Sequence, residues 1–238
     1  MPYTRISDHR SMVFDTRRNQ AYQRALKKVV TATTTVMDLG AGLGVHGLNA
    51  ARLGAARVWL VEPAPIIEVA RQIAADNRLS NVSCFPCRVE ELELEDKSDV
   101  IVSVFTGNFL LDEDLLPSLF YARDHYLVPG GTLIPDRARM EVVPVMAADY
   151  YQKHVASWSE CLIQTPGVDN IALNYNAVRP YATNTLYYTT RESLNATPLA
   201  APAPLMELDL ALATRADCNH QIDVTLTQDG TCHGWLGW

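Results

Sequence analysis

The stretch VMDLGAGLG, residues 36–44, places an apolar run directly before three glycines at alternate positions. The helical spacing of HGLNAARLG follows almost at once, so this region predicts a strand, a tight turn and a helix. Glycines let the backbone turn sharply and let a ligand approach without a Cβ in the way, and a helix N-terminus offers unpaired N–H groups. The pattern Gly-x-Gly-x-Gly differs from the dinucleotide fingerprint Gly-x-Gly-x-x-Gly, and no Lys-Ser/Thr pair follows as in a phosphate-binding loop.

The segments on either side of this loop alternate between strand and helix patterns. An amphipathic helix is predicted at 10–29, further strands at 56–63, 81–86 and 98–105, and helices at 66–77 and 115–127. The Pro-Gly-Gly at 129–131 predicts a turn before another strand. Alternating strands and helices favour a parallel, doubly wound sheet of the Rossmann-like kind.

The pattern changes near residue 141. A strand is predicted at 141–147, a helix at 147–162, and further strands at 185–190, 205–214, 220–228 and 232–238, with Asp229-Gly230 as a hairpin signal. These segments predict an antiparallel sheet or barrel. We therefore expect an α/β protein in three parts: an N-terminal helical region at 1–30, a Rossmann-like domain at 31–140, and a β-rich, barrel-like domain at 141–238.

The composition restricts the classes of partner. The 238 residues carry 20 Lys+Arg and 27 Asp+Glu, a formal net charge of -7, which provides no basic surface for nucleic acid or membrane. No apolar run approaches the ~18 residues of a membrane-spanning helix, and the polar N-terminus has no apolar signal segment. We expect a cytoplasmic protein that binds neither nucleic acid nor a membrane. Cys84 and Cys87 form a C-x-x-C pair without a clear second Cys/His pair, which favours ordinary thiols over a metal site.

Two acidic residues narrow the identity of the ligand. Asp38 lies within the last residues of the first strand, where a carboxylate would repel a pyrophosphate but suits the ammonium of a methionine moiety. Glu62 ends the second predicted strand, and an acid at that position accepts hydrogen bonds from both hydroxyls of a ribose. With the glycine loop, these residues predict a site for S-adenosylmethionine. The competing hypothesis is a glycine-rich turn with unrelated surface acids.

Several stretches resemble the protein arginine methyltransferases and their bacterial relatives, which are class I S-adenosylmethionine-dependent methyltransferases. These stretches are the cofactor loop and second strand at 36–63, RVEELEL at 88–94, LFYARDHYLVPGGTLIPDRA at 119–138, and DGTCHGWLGW at 229–238. The resemblance runs from about Met12 to the C-terminus. It implies an enzyme whose cofactor domain leads into a β-barrel, with S-adenosyl-L-homocysteine as the product. It also implies a homodimer formed through a helical arm near residues 150–180.

The resemblance also implies which residues contact the cofactor. They are Met12 and Arg18 in a lid helix, Asp38, Gly40, Gly42 and Gly44 at the methionine and ribose, Glu62 on the ribose, and Val89 and Glu90 beside the adenine. Arg18 falls where an arginine pairs with the cofactor carboxylate, a role that suits a guanidinium. Its neighbour Arg17 is the rival, and a solvated helix charge is the simpler interpretation. Asp15 matches the family as well.

The loop after the fourth strand departs from the family. Arginine methyltransferases carry two glutamates there that grip the substrate guanidinium, and this chain has Glu113 at the second position but Val104 at the first. A guanidinium buried against Val104 would keep unpaired donors, at a cost of about 1–3 kcal/mol. Glu113 is the candidate catalytic residue that orients or deprotonates the acceptor, with Asp112 and Asp114 as rivals. The simpler interpretation is that these acids favour a helix start.

Three hypotheses for the function follow. The first is methyl transfer to a nitrogen or oxygen of a peptide or small metabolite, which Val104 favours because it makes the acceptor pocket less anionic. The second is an arginine N-methyltransferase with a reduced acidic clamp. The third is a non-catalytic cofactor-binding protein that acts through its partners. The family's Thr-His-Trp loop would come after Trp238, so either a further segment follows or the barrel is completed another way.

Overall fold

The computed structural model describes residues 6–159, 174–190 and 193–238. The helices are α1 Ile6–Val13, α2 Thr16–Val29, α3 Val45–Arg52, α4 Ile67–Asp76, α5 Leu116–Tyr126, α6 Ala148–His154 and α7 Arg179–Thr183, with 3-10 turns at Val89–Glu91, Ala156–Ser159 and Asn176–Val178. The strands are β1 Thr35–Leu39, β2 Arg57–Val61, β3 Val82–Phe85, β4 Ser98–Ser103, β5 Leu127–Ile134, β6 Arg137–Met146, β7 Thr197–Pro198, β8 Ala203–Asp209 and β9 Gly234–Gly237.

The first five strands form one sheet in the order β3-β2-β1-β4-β5, and every neighbouring pair is parallel. All five residues of β1 are buried, as expected for a central strand covered on both faces. The core around β1, β2 and β4 includes the fully buried side chains of Val36, Val58, Leu60 and Val102. The structure therefore confirms the predicted α/β class with a Rossmann-like core.

The strand order determines where a ligand site can lie. Leu39 at the end of β1 pairs with Val61 of β2 on one side and with Ser103 of β4 on the other. The loops that follow these three strands therefore leave the same edge of the sheet. This is the carboxyl edge at which open α/β sheets bind their ligands.

The predicted helix at 10–29 is wrong in one respect, because the chain forms two helices with a break at Phe14 and Asp15. Asp15 is the N-cap of α2, and its carboxylate accepts a hydrogen bond from the Arg18 N–H at 3.0 Å. An aspartate before a helix satisfies one of the first N–H groups and fixes the start of that helix. The local cap thus prevails over the continuous apolar spacing.

The predicted turn at 129–131 is also wrong, since Pro-Gly-Gly lies inside β5. Gly130 has a φ of +76°, and the pairing of β4 with β5 shifts register between Ser98 and Val100. β5 continues on both sides of this irregularity and pairs with β4 on each side. A left-handed glycine inside a strand is typical of such a local disruption.

The second sheet is built on the long strand β6. It has four strands in the order β7-β6-β8, with β9 also on β6, and both β7 and β9 pair antiparallel. Val143, Val145 and Ala147 form a small buried cluster that packs against Tyr150 and Leu236. This sheet confirms the predicted antiparallel second part, and the predicted strands at 141–147, 205–214 and 232–238 correspond to β6, β8 and β9.

Two other predicted strands and the hairpin are wrong. Residues 185–190 and 220–228 form no strand, and Asp229-Gly230 connects no pair of strands in the described residues. Tyr187 donates instead to the Ala182 carbonyl at 2.8 Å, and the Thr190 N–H donates to the Ser193 hydroxyl at 3.1 Å. Such local hydrogen bonds compete with strand pairing, and strand propensity needs a partner to be realised.

Two compact units can be distinguished within the described residues. One ends at Met140 and includes Met206–Asn219, and the other contains Glu141–Leu205 and His220–Trp238. Arg123 of α5 secures the returning segment of the first unit, donating to the carbonyls of Leu210 at 2.8 Å and Ala213 at 2.7 Å. The three-part division drawn from the sequence stays a prediction, and much of the predicted arm at 150–180 lies outside the described residues.

Candidate cofactor site

The glycine loop connects β1 to α3 with three left-handed residues. Gly40, Gly42 and Gly44 have φ of +67°, +54° and +76°, a region that favours glycine. A Cβ on Gly40 would lie 2.3 Å from Cε1 of Phe105, and one on Gly42 would lie 3.1 Å from Cε1 of His9. The loop therefore needs glycine both for its backbone conformation and for the aromatic rings packed on it.

Glu62 connects the end of β2 to this loop. Its carboxylate accepts hydrogen bonds from the Gly42 N–H at 3.0 Å and from the Ala64 N–H at 2.8 Å. The two bonds engage different oxygens, so the carboxylate is fixed in orientation. Each carboxylate oxygen has a further lone pair, so Glu62 retains capacity to accept from another donor.

Asp38 lies beneath the loop and is 2% exposed. It accepts a hydrogen bond from the Gly47 N–H in the first turn of α3, at 2.7 Å. Burial raises the pKa of Asp38 to about 7, the Gly47 hydrogen bond opposes this rise, and the charge of Glu62 adds to it. A cation beside Asp38 would offset the cost of its buried charge.

A stacked pair of rings connects α2 to α3. The rings of Tyr22 and His46 lie 4.2 Å apart between centroids with an interplanar angle of 20°, and the Tyr22 hydroxyl donates to the Ser103 carbonyl at 2.8 Å. Burial raises the pKa of Tyr22 to about 12. Burial and the nearby positive charge of Arg18 lower the pKa of His46 to about 4. This pair fastens α2 to the ends of the strands.

Arg18 connects the break between α1 and α2 to this region. Its Nη2 donates to the Met12 carbonyl at 2.8 Å, and its Nε lies 3.7 Å from an Asp15 carboxylate oxygen. That Nε is buried and makes no hydrogen bond to any residue that the structure describes. Because Arg18 influences the pKa of both Tyr22 and His46, its positive charge lies near the start of α3.

The comparisons agree with this geometry. A family model described as a methyltransferase domain matches residues 36–131. The probable protein arginine N-methyltransferase 6.1 of Oryza sativa subsp. indica is 38% identical over 162 residues, which cover 66% of this chain and 42% of that protein. Protein arginine N-methyltransferase 1.1 of Arabidopsis thaliana is 31% identical over 255 residues, covering 99% and 63%.

A solved structure has a similar fold. The structure titled Trypanosoma brucei PRMT1 enzyme-prozyme heterotetrameric complex with AdoHcy matches with a TM-score of 0.75 and 26% identity, covering 90% of this chain and 65% of that chain. Residues 36–131 thus match a methyltransferase domain, and the chain resembles the protein arginine methyltransferases along most of its length. It spans less than two thirds of the length of each of these three relatives.

The residues around the glycine loop fit S-adenosylmethionine. The loop is a cradle that a Cβ would fill at Gly40 or Gly42. The buried Nε of Arg18 is a donor suited to a carboxylate, and Asp38 is a buried acid that a neighbouring ammonium would stabilise. Glu62 is placed to accept from hydroxyls. The predicted cofactor residues of the loop, β2 and the lid thus form one connected set around the edge of the sheet.

Val89 and Glu90 lie on the 3-10 turn that follows β3. Val89 is buried, and the Glu90 carboxylate accepts a hydrogen bond from the Ser118 hydroxyl of α5 at 2.5 Å. The turn therefore packs against α5, and the contacts described for Glu90 join it to that helix. Its predicted role at the adenine stays a prediction.

The loop after β4 contains the candidate acceptor residues. Val104 is half-buried directly after Ser103, so β4 delivers it to the same edge as the glycine loop. Glu113 is half-buried and accepts a hydrogen bond from the Asn108 side-chain amide. Its rivals Asp112 and Asp114 are exposed. The catalytic role predicted for Glu113 stays a prediction.

Sequence reasoning missed three residues at this site: His9, Tyr22 and Phe105. Tyr22 follows Arg18 by four residues on α2, and this spacing places both on one face of the helix. That signal was available in the sequence. His9 and Phe105 contact the loop glycines from segments that are distant in the sequence. No local sequence pattern predicts such contacts.

No helix among the described residues is long and apolar enough to cross a membrane. The same residues contain no group of three or more His, Cys, Asp or Glu side chains that could hold a metal ion. Cys84 and Cys87 are both half-buried free thiols, and burial raises the pKa of each. A thiol with a raised pKa is a poorer nucleophile and metal ligand.

Proposed function

We propose that this methyltransferase transfers a methyl group from S-adenosylmethionine to a guanidinium nitrogen of arginine in a protein or peptide. The observation that carries the cofactor part of this proposal is the carboxylate of Glu62, held against the glycine loop by the N–H groups of Gly42 and Ala64. The names of the relatives favour arginine as the acceptor, over the other nitrogen or oxygen of a peptide or small metabolite that the sequence alone placed first.

Each part of the cofactor has a complementary group in the chain. Glu62 would accept from the ribose hydroxyls, Asp38 would balance the ammonium, and Arg18 would donate to the carboxylate. The stacked rings of Tyr22 and His46 join α2, which carries Arg18, to the first turn of α3. The bound cofactor supplies an electrophilic methyl group on a positively charged sulfur.

Glu113 acts on the acceptor. Its carboxylate orients the guanidinium and helps to remove the proton that the nitrogen must lose. A bound S-adenosylmethionine would supply the methyl group to the acceptor nitrogen and leave as the neutral thioether, and the acceptor would release one proton. The reaction needs the nitrogen aligned with the carbon–sulfur bond of the cofactor in a site from which water is excluded.

Val104 supports a second candidate, a cofactor-binding protein without turnover. The residue is half-buried at the position of the family's first loop glutamate, and it supplies no acceptor for guanidinium donors. A protein of this kind would bind the cofactor and act through partners. The two candidates differ in turnover alone, so one assay separates them.

The cofactor site is tested by calorimetric titration of S-adenosylmethionine and S-adenosylhomocysteine into wild type, Glu62→Ala and Glu68→Ala. Glu62→Ala should remove the acceptor of both ribose hydroxyls and leave the N–H groups of Gly42 and Ala64 without this partner. We expect the binding free energy to weaken by about 3 kcal/mol, which is about 100-fold in Kd. Glu68 is an exposed glutamate on the nearby helix α4 that pairs with Arg71, so Glu68→Ala should bind as wild type does. Equal affinity in all three proteins would refute the assignment of Glu62.

The acceptor is tested with radiolabelled S-adenosylmethionine, an arginine-rich peptide and the same peptide with every arginine replaced by lysine. We expect label on the arginine peptide alone. Label on a small metabolite but not on the peptide would favour the first hypothesis from the sequence. Tight cofactor binding with no label on any acceptor would favour the non-catalytic candidate.

Assembly and location follow as further proposals. We expect a homodimer, and light scattering that gives the mass of one 26.4 kDa chain would refute it. We also propose a cytoplasmic location, to be checked by fractionation of the source cells.

A further inference from the structure

The loop between β4 and α5 is built around an unusual turn. Asn108, Phe109 and Leu110 are consecutive non-glycine residues with φ of +47°, +53° and +61°. A non-glycine residue with this backbone conformation costs free energy, so the conformation persists only where the surrounding structure fixes it. Leu110 is 4% exposed and anchors the turn, and the Leu111 N–H donates to the Phe109 carbonyl at 2.6 Å. The chain therefore holds this turn in one specific shape.

The turn brings an amide to a carboxylate. Asn108 donates from Nδ2 to Oε1 of Glu113, five residues further along the chain. Asparagine is among the residues that tolerate a left-handed backbone best, so Asn108 suits both the turn and the hydrogen bond. Of the three acids at 112–114, Glu113 is the half-buried one and receives this amide, whereas Asp112 and Asp114 are exposed.

We propose that Asn108 is a positioning residue for Glu113, so that a carboxylate oriented by an amide does the work of two carboxylates in the acceptor clamp. This inference rests on the proposed function of Glu113. A hydrogen bond from a neutral amide orients the carboxylate without adding a second negative charge. The clamp then carries one negative charge from Glu113, which matches the single positive charge of a guanidinium and accommodates Val104 at the first glutamate position.

The activity test compares wild type with Asn108→Gly and Asn108→Asp. Glycine removes the amide and keeps the left-handed turn, so kcat on the arginine peptide should fall about 10- to 100-fold, as expected for a misplaced catalytic group. KM should change much less. Arg78→Gly is the matched control, because Arg78 is also a left-handed non-glycine residue (φ +58°), between α4 and β3, and its removal should leave kcat unchanged.

Asn108→Asp provides a readout that a purely structural role would not move. Two neighbouring carboxylates resist carrying negative charge at the same time. In Asn108→Asp, the acidic side of the plot of kcat/KM against pH should therefore move to higher pH by about one unit. Asp112 and Asp114 are present in both proteins and do not contribute to the difference. An acid limb in the same place as in wild type would overturn the inference.

A second measurement does not depend on turnover. In a 15N-labelled protein, the side-chain amide resonances of Asn108, assigned by their loss in Asn108→Gly, should shift as Glu113 ionises and should not shift in Glu113→Gln. Amide resonances that do not shift as Glu113 ionises would overturn the inference even in an active enzyme. If the resonances respond but wild type methylates no acceptor, the hydrogen bond stands and the proposed function fails.

Discussion

Replacing Asp38 with asparagine should change how the stability of the fold depends on pH. Asp38 is 2% exposed, and burial raises its pKa to about 7 from an ordinary value of 3.8. The folded state therefore keeps a proton that the unfolded state has already lost. The stability contributed by this proton is fully present below pH 3.8 and is lost as the pH rises to about 7. Between pH 5 and pH 8 the loss amounts to about 2–3 kcal/mol.

His46 acts in the opposite direction. It is 6% exposed, and its pKa is lowered to about 4 from 6.5, so the unfolded chain takes up a proton that the fold excludes. Stability is lost as the pH falls from about 6.5 to about 4. Between pH 5 and pH 8 this residue adds about 2 kcal/mol. In the wild type the two contributions nearly cancel over that interval.

The variants separate these contributions. Relative to wild type, Asp38→Asn should gain about 2–3 kcal/mol in free energy of unfolding between pH 5 and pH 8, and His46→Leu should lose about 2 kcal/mol. The assay is urea unfolding followed by circular dichroism at pH 5, 6, 7 and 8, on wild type, both single variants and the double variant. The other ionisable groups are common to all four proteins and cancel in the differences. If the free energy of unfolding changes with pH in the same way in all four proteins, the pKa shifts assigned to Asp38 and His46 are refuted.

Four further predictions follow from the described contacts. Gly40→Ala should destabilise the fold by about 2 kcal/mol or more, because the new Cβ meets the ring of Phe105, and thermal unfolding should show partial recovery in Gly40→Ala with Phe105→Leu. Tyr22→Phe removes the hydrogen bond to a carbonyl at the end of β4 and should cost about 1 kcal/mol in urea unfolding; an unchanged midpoint would count against that bond. Arg123→Lys cannot reproduce the two carbonyl bonds of the guanidinium and should cost about 1–3 kcal/mol, measured the same way, with exposed Arg215→Lys as a control that should change nothing. The ammonium of the cofactor should cause Asp38 to release its proton near pH 6.5, so the binding enthalpy should vary with the ionisation enthalpy of the buffer in wild type and less in Asp38→Asn.

The parallel sheet and its loop were predictable because their signals are local. Each buried strand of that sheet is a short apolar run between helices, and the glycines of the loop follow the first strand directly. Asp38 and Glu62 could be placed as well, since the parallel order brings the ends of β1 and β2 together. The sequence thus predicts the ligand edge from strand ends alone.

The remaining features depend on contacts between distant segments. The stacking of Tyr22 on His46 joins two helices, and the packing of Phe105 on Gly40 joins two loops. Residues 185–190 have strand-like composition, but their side chains bond locally and no neighbouring strand pairs with them in the described residues. Pairing is a property of two segments, whereas propensity describes only one.

The return of Met206–Asn219 to the first unit has a consequence for the order in which the protein is made. On the ribosome, the parallel sheet is complete once β5 emerges, but the guanidinium of Arg123 still lacks the carbonyls of Leu210 and Ala213. At about 5–20 residues per second, this incomplete state lasts for seconds. During that time the strand β6 is already outside the ribosome without β8. A gene cut after Met140 makes the incomplete state permanent, so an expression fragment of the first unit has to include the returning segment.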